Sequence, residues 1–515
     1  MSVPTFTNFD FSPAPEQTKQ RYQHLAAKFH AEFPNEAIQY YTRAPGRVNL
    51  MGDHIDYNLF LCLPMAIDFD LVAAVHANPE SLEIALVNTD PKFTKQQFTL
   101  PEDGLVITID DNNFNWSSYF RCALIVAHKY LLEKGRDASK PLVGMHVAFD
   151  GTVPTGGGLS SSAAFCVAST LAILKANGVD SISKADLTRI TVVSEHYIGL
   201  NNGGLDQCSL VYGEDGMCLL VQFRPKLNGI PLKFPTLPDG EELKFIISNT
   251  LVESPKKLTA PVNYNLRVVE MGIALDLLAK KFNLSLPSES NINSGTLRGF
   301  METYFVEVEK QLPWDGQDNV KGMKWLQELT DKCDEWFTSE QKVGFTTEEA
   351  AAALGLSVDE FTQKYLTKME VRYDKLKLYQ RAKHVFSESY RVLQCLHLLQ
   401  TIENGDDFLR EFGGVMNASQ QSLDQLNGLS HPNCNRICEI ALANGAYGTR
   451  VTGAGFGGSL VSITTAKKLP NLVNALVAEY YKKEYPNITD DELANALVDT
   501  KPAWGASVVA AAAVE

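Results

Sequence analysis

A run of glycines leading into a run of serines, Pro154 to Ala164, limits the fold of this chain more than any other segment. Before it, Met145, Val147 and Phe149 occupy alternate positions, which is the period of a β-strand. After it, apolar residues recur at helical spacing, and Asn177-Gly178 is a stop signal. These apolar residues are Leu159, Ala163, Val167, Leu171 and Leu174. The pattern predicts a strand, a glycine-rich loop and the first turn of a helix.

This order of elements suits the binding of an anion. Glycines let backbone N–H groups approach a ligand closely, and a helix N-terminus adds unpaired N–H groups and a partial positive charge. The hydroxyls of Ser160, Ser161 and Ser162 can donate to phosphate or ligate magnesium. No lysine follows the glycines, so this is not the G-x-x-x-x-G-K-[ST] phosphate loop. The alternative is a flexible surface turn before an alanine-rich core helix.

The segment from Arg43 to Asn58 is dense in polar groups. Its 16 residues include two arginines, two aspartates, two asparagines and a histidine, separated by apolar residues. Charged groups are rarely buried unpaired, so this is poor core material. Alternating donors and acceptors at fixed positions suit a sugar or polyol. The alternative is a charged surface hairpin, which the apolar residues Val48, Leu50 and Met51 disfavour.

Length and charge limit the class of protein. A chain of 515 residues exceeds one ordinary core, and we expect domains over 1–235 and 236–515, with a helical insertion around 283–370. The formal net charge of −15 argues against a nucleic-acid partner. Nine scattered cysteines favour reduced thiols in the cytoplasm. Neither a signal peptide nor a membrane partner is expected, because the chain has no apolar run of about 20 residues.

Two further segments carry candidate site residues. A helix predicted over Lys184–Ile198 carries Glu195 and leads into a glycine-rich turn that ends at Asp206. Taken alone, Asp206 is better explained as a helix N-cap than as a site carboxylate. Trp116 begins another predicted helix, where its residue type favours a core position over contact with a purine.

A third glycine-rich segment spans Gly448 to Ser459 and satisfies the pattern G-x-G-x-x-G. A dinucleotide site requires a helix after these glycines, but the β-branched run Leu460–Thr465 predicts a strand. We therefore predict a glycine-rich hairpin that lets two backbones, or a backbone and a ligand, come close.

Three of these segments together resemble the galactokinases, a family of GHMP small-molecule kinases. Gly46 to Tyr57 resembles the galactokinase signature, Pro154 to Ala164 the GHMP phosphate-binding motif, and Thr452 to Ser459 the third GHMP motif. The length between motifs resembles the fungal type. The resemblance implies a two-domain α/β (α+β) fold with the active site in the inter-domain cleft. It also implies ATP-dependent phosphorylation of α-D-galactose at its C1 hydroxyl, with Mg²⁺.

The resemblance also implies roles for individual residues. Asp206 matches the catalytic carboxylate and Arg47 the catalytic arginine. Positions that match sugar contacts are Arg47, Asp53, His54, Asp56, Gly203, Asp206 and Tyr264. Positions that match nucleotide contacts are Trp116, Gly156, Gly157, Gly158, Leu159, Ser160, Ser161 and Ser162. Ser162 and Glu195 match the magnesium ligands.

Two alternatives stay open at the level of the sequence. N-acetylgalactosamine kinases carry similar signatures, and no sequence rule separates the two sugars. A galactose sensor, which binds galactose and ATP and then a repressor of the galactose genes, is the second. In non-enzymatic relatives the serine–alanine run is shortened, but here Ser160 to Ala164 is full length, which favours catalysis.

Departures from the family pattern are few. Asp53 stands where many members have Glu, so its carboxylate reaches one methylene less far. Met51, Gln420 and Ser459 also differ from common family residues, and none of them holds a proposed catalytic role.

Overall fold

The computed structural model describes residues 1–104, 109, 114–198, 203–252, 259–289 and 295–514. The strands are β1 (Thr5–Phe6), β2 (Tyr40–Met51), β3 (Leu63–Asn78), β4 (Glu83–Asn88), β5 (Gln96–Thr99), β6 (Gly144–Gly151), β7 (Met217–Gln222), β8 (Asn228–Lys233), β9 (Leu243–Asn249), β10 (Gly448–Thr452), β11 (Ser459–Thr465), β12 (Leu497–Thr500) and β13 (Ser507–Ala510). Across these ranges, no helix is long and apolar enough to cross a membrane.

The helices are α1 (Pro15–Glu32), α2 (Ser117–Glu133), α3 (Ser161–Ala176), α4 (Lys184–Val192), α5 (Leu205–Tyr212), α6 (Tyr264–Lys281), α7 (Leu297–Glu307), α8 (Asn319–Trp336), α9 (Ser339–Val343), α10 (Thr347–Leu354), α11 (Val358–Tyr365), α12 (Leu378–Thr401), α13 (Gly405–Ser422), α14 (Pro432–Ala443), α15 (Leu469–Leu476), α16 (Lys482–Glu484) and α17 (Asp490–Ala496). Short 3₁₀ turns cover Asp56–Asn58, Glu195–Ile198, Pro238–Gly240 and Ala511–Ala513, and π turns cover Leu423–Asn427 and Val477–Tyr481.

The larger sheet has the strand order β1-β13-β2-β3-β6-β4-β5. Strand β2 lies inside it, antiparallel to both β13 and β3, and every residue of β2 is buried. This position explains how a charge-rich segment is tolerated in the core, since Arg43 pairs there with Asp70 and Arg47 with Asp206. The pairing of β13 with β2 also brings the C-terminal strand β13 into the sheet that holds the polar segment Arg43 to Asn58.

Helices α2 and α3 pack against each other, and α3 also contacts β2 and β3. Small residues on α3 let it lie close to the sheet: the Tyr40 hydroxyl donates to the Ala172 carbonyl at 2.9 Å, and the Thr42 hydroxyl to the Ala168 carbonyl at 2.9 Å. The predicted order of strand, glycine-rich loop and helix is confirmed as β6, residues 152–160 and α3. The loop is thereby fixed over the end of the sheet.

A smaller sheet has the order β10-β11-β9-β12. Its β10 and β11 are antiparallel neighbours joined by residues 453–458, so the predicted glycine-rich hairpin is confirmed. The stretch 224–240 contains β8, which pairs with β7. The domain boundary near residue 235 stays a prediction. So does the insertion around 283–370, a range that contains α7 to α11.

The helix predicted over Lys184–Ile198 is wrong in one respect, because it is interrupted. Helix α4 ends at Val192, and a separate 3₁₀ turn begins at Glu195. The Ser194 hydroxyl donates to the Thr191 carbonyl at 2.6 Å, a local bond that competes with the helical ladder. The break redirects Glu195 toward α3. All nine cysteines are buried, and none of them forms a disulfide.

Candidate active site

The glycine–serine loop lies against an irregular point of strand β2. A β-bulge falls between Pro45 and Arg47, and the Arg47 N–H donates to the Leu159 carbonyl at 3.1 Å. A methyl group on Gly46 would lie 2.9 Å from that same carbonyl oxygen, so this close approach requires glycine. Bulges re-aim side chains, and here the Arg47 side chain reaches the loop, donating to the Gly158 carbonyl at 2.6 Å.

The Asp206 carboxylate joins the loop to Arg47. Arg47 Nε lies 2.8 Å from Asp206 Oδ1, and the Ser160 hydroxyl donates to Asp206 Oδ2 at 2.5 Å. Arg47 is buried, whereas the Asp206 side chain is 25% exposed and can meet a ligand.

The explanation of Asp206 as a helix N-cap is wrong. Gly204, with φ of 94°, occupies the N-cap of α5, and Asp206 is the second residue of the helix. Its side chain turns toward β2 and the loop instead of toward its own backbone.

A second carboxylate lies beside the serines. Ser162 donates to Glu195 Oε1 at 2.7 Å, and Gln207 donates to Glu195 Oε2 at 3.1 Å. Glu195 is 4% exposed. A hydroxyl and a carboxylate are hard oxygen donors of the kind that Mg²⁺ prefers when phosphates and waters complete its shell. Within the described ranges, no cluster of three or more His, Cys, Asp or Glu forms a metal site.

The polar residues after β2 form a compact buried group. Gly203 N donates to Asp56 Oδ2 at 3.1 Å, and His54 Nδ1 lies 3.1 Å from the Tyr57 hydroxyl. The Tyr264 ring, at the start of α6, lies 5.1 Å from the His54 ring between centroids. The structure therefore brings together all five residues that the resemblance implied here: Asp53, His54, Asp56, Gly203 and Tyr264.

Burial shifts the pKa of two of these groups. Burial, with the nearby Asp206 carboxylate, raises the pKa of Asp56 to about 6. Burial, with the positive charge of its surroundings, lowers the pKa of His54 to about 3. His54 is therefore neutral near pH 7 and can both donate and accept a hydrogen bond, as a sugar hydroxyl requires.

Trp116 is half-buried and immediately precedes α2. Its indole N–H donates to the Thr94 carbonyl at 2.9 Å, and its ring meets Phe149 and Phe165 edge-on. These contacts fix the ring beside α3. Contact with an adenine stays a prediction.

The third glycine-rich segment packs against the glycine–serine loop and strand β2. Asn49 N donates to the Thr452 hydroxyl at 2.7 Å, which ties β10 to β2. A methyl group on Gly453 would lie 2.4 Å from the Gly158 carbonyl oxygen. The prediction that this segment permits a close backbone approach is confirmed, and the partner is the glycine–serine loop.

Comparison with known proteins identifies the family. Residues 27–77 match the galactokinase galactose-binding signature, 119–214 the N-terminal domain of GHMP kinases, and 403–483 their C-terminal domain. The galactokinase of Schizosaccharomyces pombe is 51% identical over 99% of each chain. That of Saccharomyces cerevisiae is 45% identical over 98% of this chain and 97% of its own. The chain belongs to the galactokinase family.

Solved structures agree on the fold of this family member. Galactokinase from Lactococcus lactis, solved in complex with galactose, matches 95% of this chain and 99% of its own with a TM-score of 0.67 and 21% identity. Mevalonate kinase from Methanococcus jannaschii matches 90% of this chain and 98% of its own with a TM-score of 0.51 and 17% identity. The predicted GHMP kinase fold is thus confirmed. A kinase of this family takes ATP as its phosphoryl donor.

Two charged residues of this galactokinase-family site were missed from the sequence. Arg450 of β10 and Glu388 of α12 are both 0% exposed and lie behind Asp53. The sequence carries a signal that both residues are buried. Arg450 stands in a β-branched run, and Glu388 lies three residues after Val385 and four before Val392, on the same helix face. Charged groups at such positions need buried partners, but the sequence does not name them.

The pKa of Asp56 predicts a pH dependence of sugar binding. Below about pH 6 the carboxyl is protonated and loses acceptor capacity. We expect KM for galactose to rise as pH falls through this value. Asp56→Asn should have a high KM that no longer varies over this range. Steady-state kinetics from about pH 5 to about pH 8 measures this, and an unchanged profile in Asp56→Asn would contradict it.

Proposed function

We propose that this chain transfers the γ-phosphoryl group of ATP to the C1 hydroxyl of α-D-galactose, giving galactose 1-phosphate and ADP. The observation that carries the proposal is the position of Asp206. One carboxylate oxygen is held by Arg47, from the sugar signature, and the other by Ser160, from the phosphate loop. Asp206 therefore lies between the proposed sugar site and the proposed triphosphate site.

The chemistry follows from this position. A sugar hydroxyl is a poor nucleophile, so Asp206 accepts its proton as the oxygen bonds to the γ-phosphorus. The bond between that phosphorus and the β–γ bridging oxygen breaks, and ADP leaves with the electron pair. Arg47 stabilises the charge on the transferring group.

The remaining side chains bind the two substrates. The sugar hydroxyls need hydrogen-bond donors and acceptors at fixed positions. We assign this role to Asp53, Asp56, neutral His54, Tyr264 and the backbone at Gly203. The backbone of Gly156 to Leu159 and the hydroxyls of Ser160, Ser161 and Ser162 hold the triphosphate. Trp116 supplies an aromatic face near the adenine. Bound between these groups, the reacting atoms are held in line.

Ser162 and Glu195 would hold Mg²⁺, which when bound neutralises phosphate oxygens. We predict that Glu195→Gln raises the Mg²⁺ concentration for half-maximal ADP release by about tenfold or more, because an anionic ligand becomes a neutral amide. Glu133→Gln, at an exposed surface ion pair with Arg189, is the matched control. A half-saturation value equal to that of the control would contradict the role of Glu195.

An ADP-release assay with galactose, N-acetylgalactosamine, glucose and mevalonate tests the proposal. We expect turnover with galactose and far less with the other three compounds. If the protein turns over N-acetylgalactosamine faster than galactose, N-acetylgalactosamine replaces galactose as the proposed substrate. Absence of galactose-dependent ADP release would overturn the kinase assignment.

Three expectations beyond the reaction stay predictions. They are a cytoplasmic location, the division into residues 1–235 and 236–515, and galactose-dependent binding of a transcriptional repressor. Mixing the purified protein with galactose, Mg-ATP and such a repressor tests the last of these. Failure to form a sugar-dependent complex would remove it.

A further inference from the structure

We propose that Glu388 and Arg450 are positioning residues of the sugar site, which hold the turn Gly52–His54 and the Asp53 carboxylate in place. The inference rests on the proposed function in one respect, the contact between Asp53 and the sugar. Neither residue was assigned a role from the sequence, and neither is placed against the reacting atoms.

The turn at the end of β2 requires support from outside. Gly52 has φ of 100° and His54 has φ of 60°, in the left-handed region that a non-glycine residue adopts at a cost. The surrounding structure must therefore determine this conformation. Because Asp53 and His54 are both proposed sugar contacts, their geometry depends on whatever holds the turn.

Helix α12 supplies one half of that support. Gly52 N donates to Glu388 Oε1 at 3.0 Å, and His384 Nε2 lies 3.3 Å from the Asp53 carbonyl. A methyl group on Gly52 would lie 3.0 Å from Val392 Cγ2, so the turn is packed directly on this helix. The turn is thus held through its backbone groups.

Strand β10 supplies the other half through Arg450. Its Nη2 lies 2.6 Å from Asp53 Oδ2 and 3.5 Å from Glu388 Oε1, and its Nη1 donates to the Asn49 carbonyl at 2.9 Å. A third donor, Nε, reaches the Ser419 hydroxyl at 3.1 Å. The planar guanidinium therefore holds the end of β2, the Asp53 side chain and Glu388 in one fixed arrangement.

Two arginines and two carboxyl groups meet in this cluster, where burial raises the pKa of Asp53 against the opposing effect of Arg450. Glu388 also accepts from Arg391 Nε at 2.9 Å, so two arginines face the carboxylates of Glu388 and Asp53. Although burial opposes ionisation, Arg391 and Arg450 lower the pKa of Glu388 to about 2. Removing one member leaves a buried charge without its partner, and the neighbouring groups must move. Asp53, whose Oδ2 lies 2.6 Å from Arg450 Nη2, is one of these groups.

Kinetics of four variants test the proposal: Arg450→Met, Glu388→Leu, Glu388→Gln and the control Arg43→Met. Arg43 is a buried arginine on β2 that pairs with Asp70 and makes no bond to residues 49–54. We expect Arg450→Met and Glu388→Leu to raise KM for galactose by about 10- to 100-fold, since small displacements of positioning groups have effects of this size. KM for ATP should change little. Glu388→Gln keeps an acceptor for Gly52 N but removes the charge that faces Arg391 and Arg450, so its KM for galactose should lie between those of the wild type and Glu388→Leu.

A double-mutant cycle with Asp53→Asn separates positioning from general loss of structure. If Arg450 acts through Asp53, the effect of Arg450→Met on galactose affinity shrinks in the Asp53→Asn background. Additive effects, or equal losses for galactose and ATP, would overturn the inference. Thermal unfolding identifies variants that fail to fold, and Arg450→Lys, which keeps the charge but not the fork, then replaces Arg450→Met.

The same cycle distinguishes loss of the Asp53 sugar contact from loss of the positioning role. A normal galactose KM in Asp53→Asn would overturn the sugar contact of Asp53, and with it the inference. A raised KM in Asp53→Asn, with a normal KM in Arg450→Met and Glu388→Leu, would overturn the positioning role alone. Neither result decides the proposed function, which is tested separately by galactose-dependent ADP release from the wild-type chain.

Discussion

Replacing Asp206 by Asn will lower kcat for galactose phosphorylation by ~10²–10⁴-fold, the usual effect of losing a positioned base. The amide is close in size to the carboxylate and can still accept from Arg47, which lies 2.8 Å away in the wild-type chain. It cannot take up the proton of the C1 hydroxyl. We therefore expect galactose binding to persist in Asp206→Asn, which isothermal titration and steady-state kinetics together would measure.

The matched control for this substitution is Asp215→Asn. Asp215 is an exposed carboxylate just beyond the end of α5, so the same chemical change is made away from the site. Near-normal turnover in Asp206→Asn would refute the assignment of Asp206 as the base. Loss of galactose binding in parallel with turnover would instead make it a sugar contact.

Replacing Gly203 by Ala will raise KM for galactose by about 100-fold, because a shift near 1 Å in a positioned group has effects of this size. The added methyl group would lie 2.4 Å from Asp56 Oδ2 and 2.9 Å from the Asp56 carbonyl carbon. Relief requires movement of either the Asp56 turn or the segment that leads to Asp206, and both border the sugar site. Overpacking of this kind also costs about 1–3 kcal/mol of stability.

Gly414→Ala provides the comparison for Gly203→Ala. Gly414 lies on the exposed face of α13, and a methyl group there meets nothing within 4 Å. We expect unchanged galactose kinetics and, because alanine favours a helix, slightly higher stability. A galactose KM in Gly203→Ala that matches this control would show that the Asp56–Gly203 contact does not shape the sugar site.

Local patterns in the sequence were sufficient for the elements that carry the site. The alternation before Pro154 and the helical spacing after Leu159 predicted β6 and α3, because strand and helix periods are properties of short segments. The β-branched run after Gly458 correctly predicted the second strand of a hairpin. The family resemblance extended these local predictions to the whole fold, which the structural comparisons confirm.

Local patterns failed where a distant partner decided the outcome. Asp206 was expected to cap its own helix, but Arg47, 159 positions earlier, and Ser160 take its two oxygens. The interruption at Ser194, which aims Glu195 at Ser162, was not anticipated from helical spacing. Each involves a polar group with more than one available partner.

The sequence by itself therefore determined where the glycine loop, the polar signature and the closing hairpin lie along the chain. Their chemistry follows from residue type and short-range spacing. Only the tertiary structure decided which charges meet, above all that Arg450 and Glu388 lie behind Asp53. The physical reason is that a buried charge is tolerated only beside a partner, and that partner is chosen by the packing of β2, β10 and α12, strands and a helix far apart in the chain.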